Sequence, residues 1–422
     1  MAGSLASQGP WIGVDIQSSN VEVQAYRATM ELHGAVVRQD QVAMELLLQA
    51  PAFGAERMVN SRGVYGFSAL HWAACLGRPD GGRAAASTTR FLIGHKADVN
   101  ARNDEDCTPL HLAAAHGDEP LVSFLLEHDA GPLTADGLPS DSCSLTKAGH
   151  ASVSCKAPLD GQKMTPLHIA AEAGHQHLFS TLVRGGCSVS SKTIDDLCTP
   201  LHLAAKAGHA RAVTRLALLM REDQEAALMG VDPRGWLRTT PLMLAAQNGH
   251  VSAVEILLEA RADPLLTDQY FEDTALHQAC ERGLTEVALL LVQFGASKLM
   301  EARTASGETA LHKAAGAGHA ETARALIEAG AKLQARTVGS RLTARAVAQN
   351  SGHHHVVTVM DGYLQEIAEA KRKADERRAE LAEAAEMLRG AMTEGFAALQ
   401  QLASRDIALS FSNERHEVCY SL

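Results

Sequence analysis

A four-residue phrase, Thr-Pro-Leu-His, constrains this chain more than any other feature. It reads Thr108-Pro109-Leu110-His111, Thr165-Pro166-Leu167-His168 and Thr199-Pro200-Leu201-His202. Each copy runs on into an Ala pair and a Gly, most cleanly in Leu201-His202-Leu203-Ala204-Ala205-Lys206-Ala207-Gly208-His209. Looser copies are Ser68-Ala69-Leu70-His71, Thr240-Pro241-Leu242-Met243, Thr274-Ala275-Leu276-His277 and Thr309-Ala310-Leu311-His312. Worn copies flank these at Leu32-His33 and Thr343-Ala344-Arg345-Ala346. Each letter has a physical role. Thr is a helix N-cap whose hydroxyl satisfies an orphan amide. Pro suits the first helical position, where its fixed φ fits and its missing N–H is no loss. Leu faces the core, the small Ala pair lets helices approach closely, and Gly ends the short helix in a left-handed conformation.

The spacing of these copies sets the architecture. The histidine position falls at 33, 71, 111, 168, 202, 243, 277, 312 and 346, so the gaps are 38, 40, 57, 34, 41, 34, 35 and 34. Four lie within two residues of 33, and none is shorter. A 33-residue period carrying Thr-Pro-Leu-His-x-Ala is the ankyrin pattern, and the chain resembles the ankyrin-repeat family over roughly residues 25–360. That resemblance implies an all-α solenoid of about nine repeats, each a helix pair with a β-turn finger. The expected divisions are a polar lead (1–22), the solenoid (23–360), a long charged helix (361–404) and a tail (405–422).

Three departures from the period are visible. Arg78-Pro79-Asp80-Gly81-Gly82-Arg83 breaks the second unit, and its outer helix is expected to resume near Thr88. The 57-residue gap holds about 129–150, rich in Gly, Pro, Ser and Asp and expected to loop outward. An acidic stretch from Met220 to Met229 lengthens the route to Trp236. The final unit has Arg345 and Ala346 where Leu and His belong, which suits a terminal cap. Val356 to Met360 then reads as the last outer helix, and from Asp361 to Ser404 the chain turns rich in Ala, Glu, Arg and Lys without Pro. A heptad register runs through it with Leu364, Lys371, Arg378, Ala385, Met392 and Leu399 at a, and Ile367, Ala374, Leu381, Leu388, Gly395 and Leu402 at d. Its ends are apolar and its middle is not. It reads as a coiled-coil self-association segment or as a solvated helix.

Composition narrows the function. A net charge of −11 argues against nucleic acid as the main ligand. The eight cysteines have no close-spaced pair and read as core or turn residues in a reducing compartment, with Cys143 and Cys155 the one pair that could meet. The N-terminus lacks a secretory leader pattern and no apolar run reaches the length of a membrane span, which makes the cytoplasm the expected location, with nuclear entry left open. No phosphate loop, nucleophile elbow, HExxH or CxxC appears, so neither catalysis nor a cofactor nor a metal site is expected. The 20 histidines mostly occupy repeat positions. By the resemblance they tie neighbouring turns together. His353-His354-His355 is the one local cluster, and consecutive helical residues diverge too much to chelate one ion.

The resemblance also implies where a protein partner would sit: on the finger tips and the exposed end of each inner helix, which together form a concave face. The candidates there are Tyr65, Phe67, Asp104, Glu105, Asp195, Asp196, Lys206, Trp236, Leu237, Gln247, Asn248, Tyr270, Phe271, Glu281 and Arg282. Five of the 17 aromatics fall on finger tips, and Trp236-Leu237 and Tyr270-Phe271 are poor choices for a solvated turn. Either they anchor a partner or they pack internally. The acidic tips favour a basic partner at one end. The expected function is non-catalytic protein binding by an adaptor or scaffold, with the C-terminal helix as a second attachment. The alternative is a monomeric regulatory subunit or inhibitor that masks one partner.

Overall fold

The computed structural model describes residues 20–49, 54–76, 83–128, 155–156, 163–193, 196–222 and 230–418. The 129–150 segment, Cys143, Asp195 and the whole of 223–229 lie outside them, as does the break at 77–82. The chain divides at His353/His354 into two units. The first is an alternation of short inner and outer helices joined by fingers, the solenoid expected from the repeats. The second is a single helix, His354–Val418.

The motif builds each inner helix as its letters require. Pro109–His116, Pro166–Glu172, Pro200–Ala207 and Pro241–Gln247 open with Pro behind a Thr N-cap. Ala69–Cys75, Ala275–Glu281 and Ala310–Ala317 open with Ala in the same place. Gly117, Gly208 and Gly318 close their helices in the left-handed conformation. The motif leucines Leu70, Leu110, Leu167, Leu201, Leu242, Leu276 and Leu311 are buried, as are the Ala pairs beside them. Because Ala projects only a methyl, the inner helices of successive repeats pack face to face. Outer helices such as Glu119–Glu127, Val251–Glu259 and Ala320–Glu328 complete the second layer with Leu125, Leu257 and Leu326.

Three details differ from the sequence expectation. The outer helix after the 77–82 break starts at Arg83 rather than near Thr88, because Arg83-Ala84-Ala85-Ala86 are strong helix formers. The first unit, Asn20–Arg38 with Gln41–Gln49, gains a short extra helix, Ala55–Val59, and leaves Tyr26, Val42 and Leu46 exposed. The last outer helix does not stop at Met360: it runs on through Asp361-Gly362, a pair that elsewhere forms turns, without a break. Ahead of the inner helix Pro166–Glu172, Cys155–Lys156 pairs antiparallel with Lys163–Met164.

The histidines join the repeats. In Ser/Thr-x-x-His the imidazole Nδ1 accepts the N-cap backbone N–H, at 3.1–3.2 Å for His71, His111, His168, His202, His277 and His312. It also lies 2.7–2.9 Å from the N-cap hydroxyl. A Glu or Gln at this position in an ordinary capping box makes the same return bond. Histidine has a second nitrogen. Nε2 donates to a carbonyl at the base of the next finger: His71 to Cys107 at 2.8 Å, His168 to Cys198 at 3.0 Å, His202 to Thr239 at 3.1 Å and His312 to Leu342 at 3.2 Å. Those carbonyls also close their own fingers, accepting from Asn103, Thr193, Gly235 and Thr337. One side chain therefore caps its own helix and fixes the neighbour's turn. Burial holds the rings neutral: His71, His168, His202 and His277 are pushed down to about 4 and His111 to about 3.

A second set of histidines points backwards. His175, His209, His250 and His319 donate through Nε2 to Ala115, Glu172, Lys206 and Glu281 carbonyls of the preceding inner helix, at 2.9–3.1 Å. Each ring lies over the glycine that ends that helix, so a Cβ at Gly117, Gly174, Gly208 or Gly283 would strike it.

Candidate protein-binding face

The fingers are held to one another through their backbones. Tyr65 O accepts from Asp104 N at 3.1 Å, Asp196 O from Trp236 N at 2.6 Å, Leu237 O from Gln269 N at 2.8 Å, Phe271 O from Ala305 N at 2.8 Å and Ser306 O from Val338 N at 3.0 Å. The tips thus form a ladder along one edge of the stack, and their side chains are presented in a fixed order.

Several tips carry backbone that only glycine adopts freely. Tyr65 and Gly66 are both left-handed, with φ 57° and 69°. At the Trp236 finger two consecutive non-glycine residues, Leu237 (φ 60°) and Arg238 (φ 59°), take that conformation. Left-handed backbone costs an L-residue roughly 1–2 kcal/mol. The consequence is a tight turn that pushes Trp236 outward, 53% exposed, with Leu237 half-buried beside it.

The aromatic residues divide into two kinds. Phe67 is half-buried, its ring 5.4 Å from His71 and 5.1 Å from Trp72, so it packs within its own repeat. Tyr65, Tyr270 and Phe271 are exposed by 73%, 64% and 63%. Tyr270 and Phe271 are ring neighbours, 6.5 Å apart. Asp268 Oδ1 shapes their finger by accepting the Phe271 and Asp273 backbone N–H groups.

The sequence candidates on the inner helices fall beside these fingers. Lys206, Asn248, Glu281 and Arg282 are exposed and Gln247 is half-buried. Asn248 spends its side-chain N–H on the Leu244 carbonyl at 2.8 Å, which closes its helix end. Asp104 is exposed, and Glu105 and Asp196 are half-buried. Asp195 lies outside the described residues.

One participant was not among the sequence candidates. Lys313 follows the motif histidine, where other repeats have Leu203, Ile169, Leu244 or Gln278. A charge at a position otherwise apolar or neutral was the available signal. Its Nζ lies 3.1 Å from Asp273 Oδ2, 3.9 Å from Glu281 Oε2 and 5.8 Å from the Phe271 ring centre. Burial works against the ammonium, but Asp273, Glu281 and Glu308 outweigh it and hold its pKa above the usual lysine value. Burial likewise raises the Asp273 carboxyl, which Lys313 only partly offsets. The ion pair braces the finger from which Phe271 projects. Arg238, exposed at the strained turn, is a second residue that the motif count passed over.

Among the described residues no three His, Cys, Asp or Glu side chains converge on a metal-sized site. Cys75, Cys107, Cys187, Cys198 and Cys280 form no disulfide, and burial pushes Cys75 and Cys198 up to about 11. No helix among the described residues is long and apolar enough to cross a membrane.

Comparison with known proteins agrees with this geometry. The chain is 28% identical over 57% of its length to palmitoyltransferase AKR1 of Lachancea kluyveri, covering 23% of that protein. It is 30% identical over 48% of its length to neurogenic locus notch homolog protein 2 of Homo sapiens, covering 8% of it. It is also 30% identical, over 48% of its length, to transient receptor potential cation channel subfamily A member 1 of Homo sapiens, covering 19% of it. The chain thus spans less than a quarter of each of these relatives. Among solved structures it is similar to the ankyrin repeat domain of Bcl-3, with a TM-score of 0.48 and 24% identity over 61% of this chain and 99% of that one. The model for ankyrin repeats (3 copies) matches residues 81–193, 139–227, 193–268 and 242–337, an unbroken run over more than half of the sequence, and the chain belongs to the ankyrin-repeat family of protein-interaction modules.

Proposed function

We propose that this protein is a non-catalytic adaptor that binds a protein partner through the finger face around Trp236, Leu237, Tyr270 and Phe271, with the C-terminal helix as a second attachment point. The observation that carries this reading is the exposure of three large aromatic side chains on two fingers tied together by the Leu237–Gln269 backbone bond. Solvent gains nothing from such residues, whereas a partner that covers them gains most of its affinity from a few anchors of this kind. The Leu237-Arg238 turn and the Lys313 ion pair shape the two fingers from which the anchors project. Asp104, Glu105 and Asp196 lie on earlier fingers and favour basic groups on the same partner. Cysteines outside disulfides suit a reducing compartment, and the cytoplasm is the proposed location.

The test is an affinity capture that compares the intact chain with a variant carrying Trp236→Ala, Leu237→Ala, Tyr270→Ala and Phe271→Ala, matched for helix content by circular dichroism. Partners held by the intact chain are expected to be lost from the folded variant. Equal capture by both would remove this face as the binding site.

A further inference from the structure

The helix His354–Val418 has 65 residues and a length of about 98 Å. Along 381–402 it presents Leu381, Leu388, Met392, Leu399 and Leu402, which are 55–72% exposed. These are a and d positions of one heptad register, with Ala385 and Gly395 filling the remaining seam positions. A helix of this kind is stable in water when its seam is covered.

The sequence of the seam indicates what covers it. The stretch 379–404 has four acidic residues, Glu380, Glu383, Glu386 and Glu394, against one basic residue, Arg389, so an anionic lipid surface or nucleic acid is a poor match. Between Ala385 and Leu402 the seam is, however, complementary to its own reverse. Set antiparallel so that Met392 meets Gly395 of a second copy, Leu388 meets Leu399 and Ala385 meets Leu402. The two smallest seam residues then each oppose a large one. In a parallel, in-register pair Gly395 would face Gly395 and Ala385 would face Ala385, leaving voids, while Lys371 and Arg378 would face their own copies at like charge. Reversal carries Arg378 about 46 Å from its copy along the helix axis. The flanking positions also fit: Ala382 falls beside Ala403, Ala391 beside Ala398, and Arg389 beside Phe396, where a cation meets a ring.

We propose that residues 385–402 form an antiparallel homodimer in which Leu388 of one copy packs on Leu399 of the other. The two helix starts at His354 then lie at opposite ends, about 120 Å apart. The proposal does not depend on the finger face being a binding site.

Static light scattering on the full chain tests it. The intact protein is expected at about twice the 44.8 kDa monomer mass. Leu388→Glu and Leu399→Lys are each expected to give monomers with unchanged helix content, since both sites are exposed within the chain. The double variant Leu388→Glu/Leu399→Lys is expected to recover the dimer, because reversal sets Glu opposite Lys in both layers. A parallel pair would set Glu against Glu and Lys against Lys. An intact chain that runs as a monomer, single variants that remain dimeric, or a double variant that stays monomeric would each overturn the proposal.

Discussion

Between the inner helices that open at Thr199 and Thr240, two imidazoles cross the junction. His202 reaches forward to the Thr239 carbonyl, and His250 reaches back to the Lys206 carbonyl. One step along, between the helices that open at Thr240 and Thr274, neither bond is made. Met243 occupies the forward position and Leu284 the backward one. Thr240 still caps its helix by accepting from the Met243 backbone N–H at 3.3 Å, but nothing returns from the side chain. Burial is equal on both sides: Leu242, Met243 and Leu276 are as inaccessible as Leu201 and His202. The two junctions therefore share their apolar packing and differ in directional bonds. The less tied junction is the one flanked by the Trp236 and Tyr270-Phe271 fingers. In a stack whose stability is a sum over neighbours, local freedom concentrates where a term is missing.

Acid should abolish the difference, and with it the fold. An imidazole held neutral at about 4 stabilises the native state above pH 6.5 and loses that contribution as pH falls from 6.5 towards 4. At pH 5 each such histidine withdraws about 2 kcal/mol, and His71, His111, His168, His202 and His277 together match the whole stability of an ordinary domain. Helix content followed by circular dichroism is expected to collapse between pH 6 and 4. Retention of the native spectrum at pH 4 would mean that these buried histidines contribute little.

Removing one clamp is the next largest effect. His202→Ala strands the Thr199 N–H and weakens the Thr239 carbonyl's bonding inside the core, and should cost about 3 kcal/mol. Met243→Ala, which removes packing alone, should cost about 2 kcal/mol. Urea unfolding of the two variants makes the comparison, and a smaller loss for His202→Ala than for Met243→Ala would reverse it.

Glycine substitutions isolate the backward clamp. Gly208 and Gly249 have nearly the same φ, 76° and 78°, so the backbone cost of an added methyl is shared. At Gly208 the methyl meets the His250 ring, whereas at Gly249 it meets the end of a Leu284 side chain at 3.0 Å. Gly208→Ala should therefore cost about 1 kcal/mol more than Gly249→Ala. Equal melting temperatures would show that the ring yields as easily as leucine.

The smallest expected change is a gain. Met243→His with Leu284→His restores both bonds and should stabilise the junction by about 1 kcal/mol. Hydrogen exchange of the 268–273 finger amides is the direct readout, since it should slow towards that of the 235–239 finger. Unchanged exchange would place the freedom elsewhere.

Much of this was legible in the chain. Thr, Pro, Leu, Ala and Gly act on their own helix, so Thr199 to Gly208 predicts its helix, cap and stop from local chemistry. The histidines were legible as a repeating position, although the period alone does not say that a ring joins its own cap to a neighbour's turn. The exposed Trp236, Tyr270 and Phe271 follow from counting back from Thr. Phe67 shows the limit of that count: it directly precedes its Ser68 cap, a position where Cys107, Cys198 and Asp273 are buried, and it turns inward onto Trp72. Lys313 escaped because its role depends on Asp273 and Glu281 from the preceding repeat, and that contact arises only on stacking. The unbroken helix through 354–361 escaped for a related reason. Repeat grammar and the Asp361-Gly362 pair both suggest an end for the outer helix, whereas the Ala-, Glu- and Lys-rich sequence beyond favours helix and carries it on.

The clamp geometry also fixes where protons go when the stack comes apart. With Nδ1 accepting an amide and Nε2 donating to a carbonyl, each clamped ring is committed to a single neutral tautomer, so the folded chain is a weaker buffer near pH 6 than its 20 histidines suggest. Unfolding frees those rings to ionise, and the chain draws protons from solution as it melts. The calorimetric enthalpy near pH 6 should then depend on the ionisation heat of the buffer, differing between phosphate and an amine buffer at one pH, with the difference reporting how many clamps have opened.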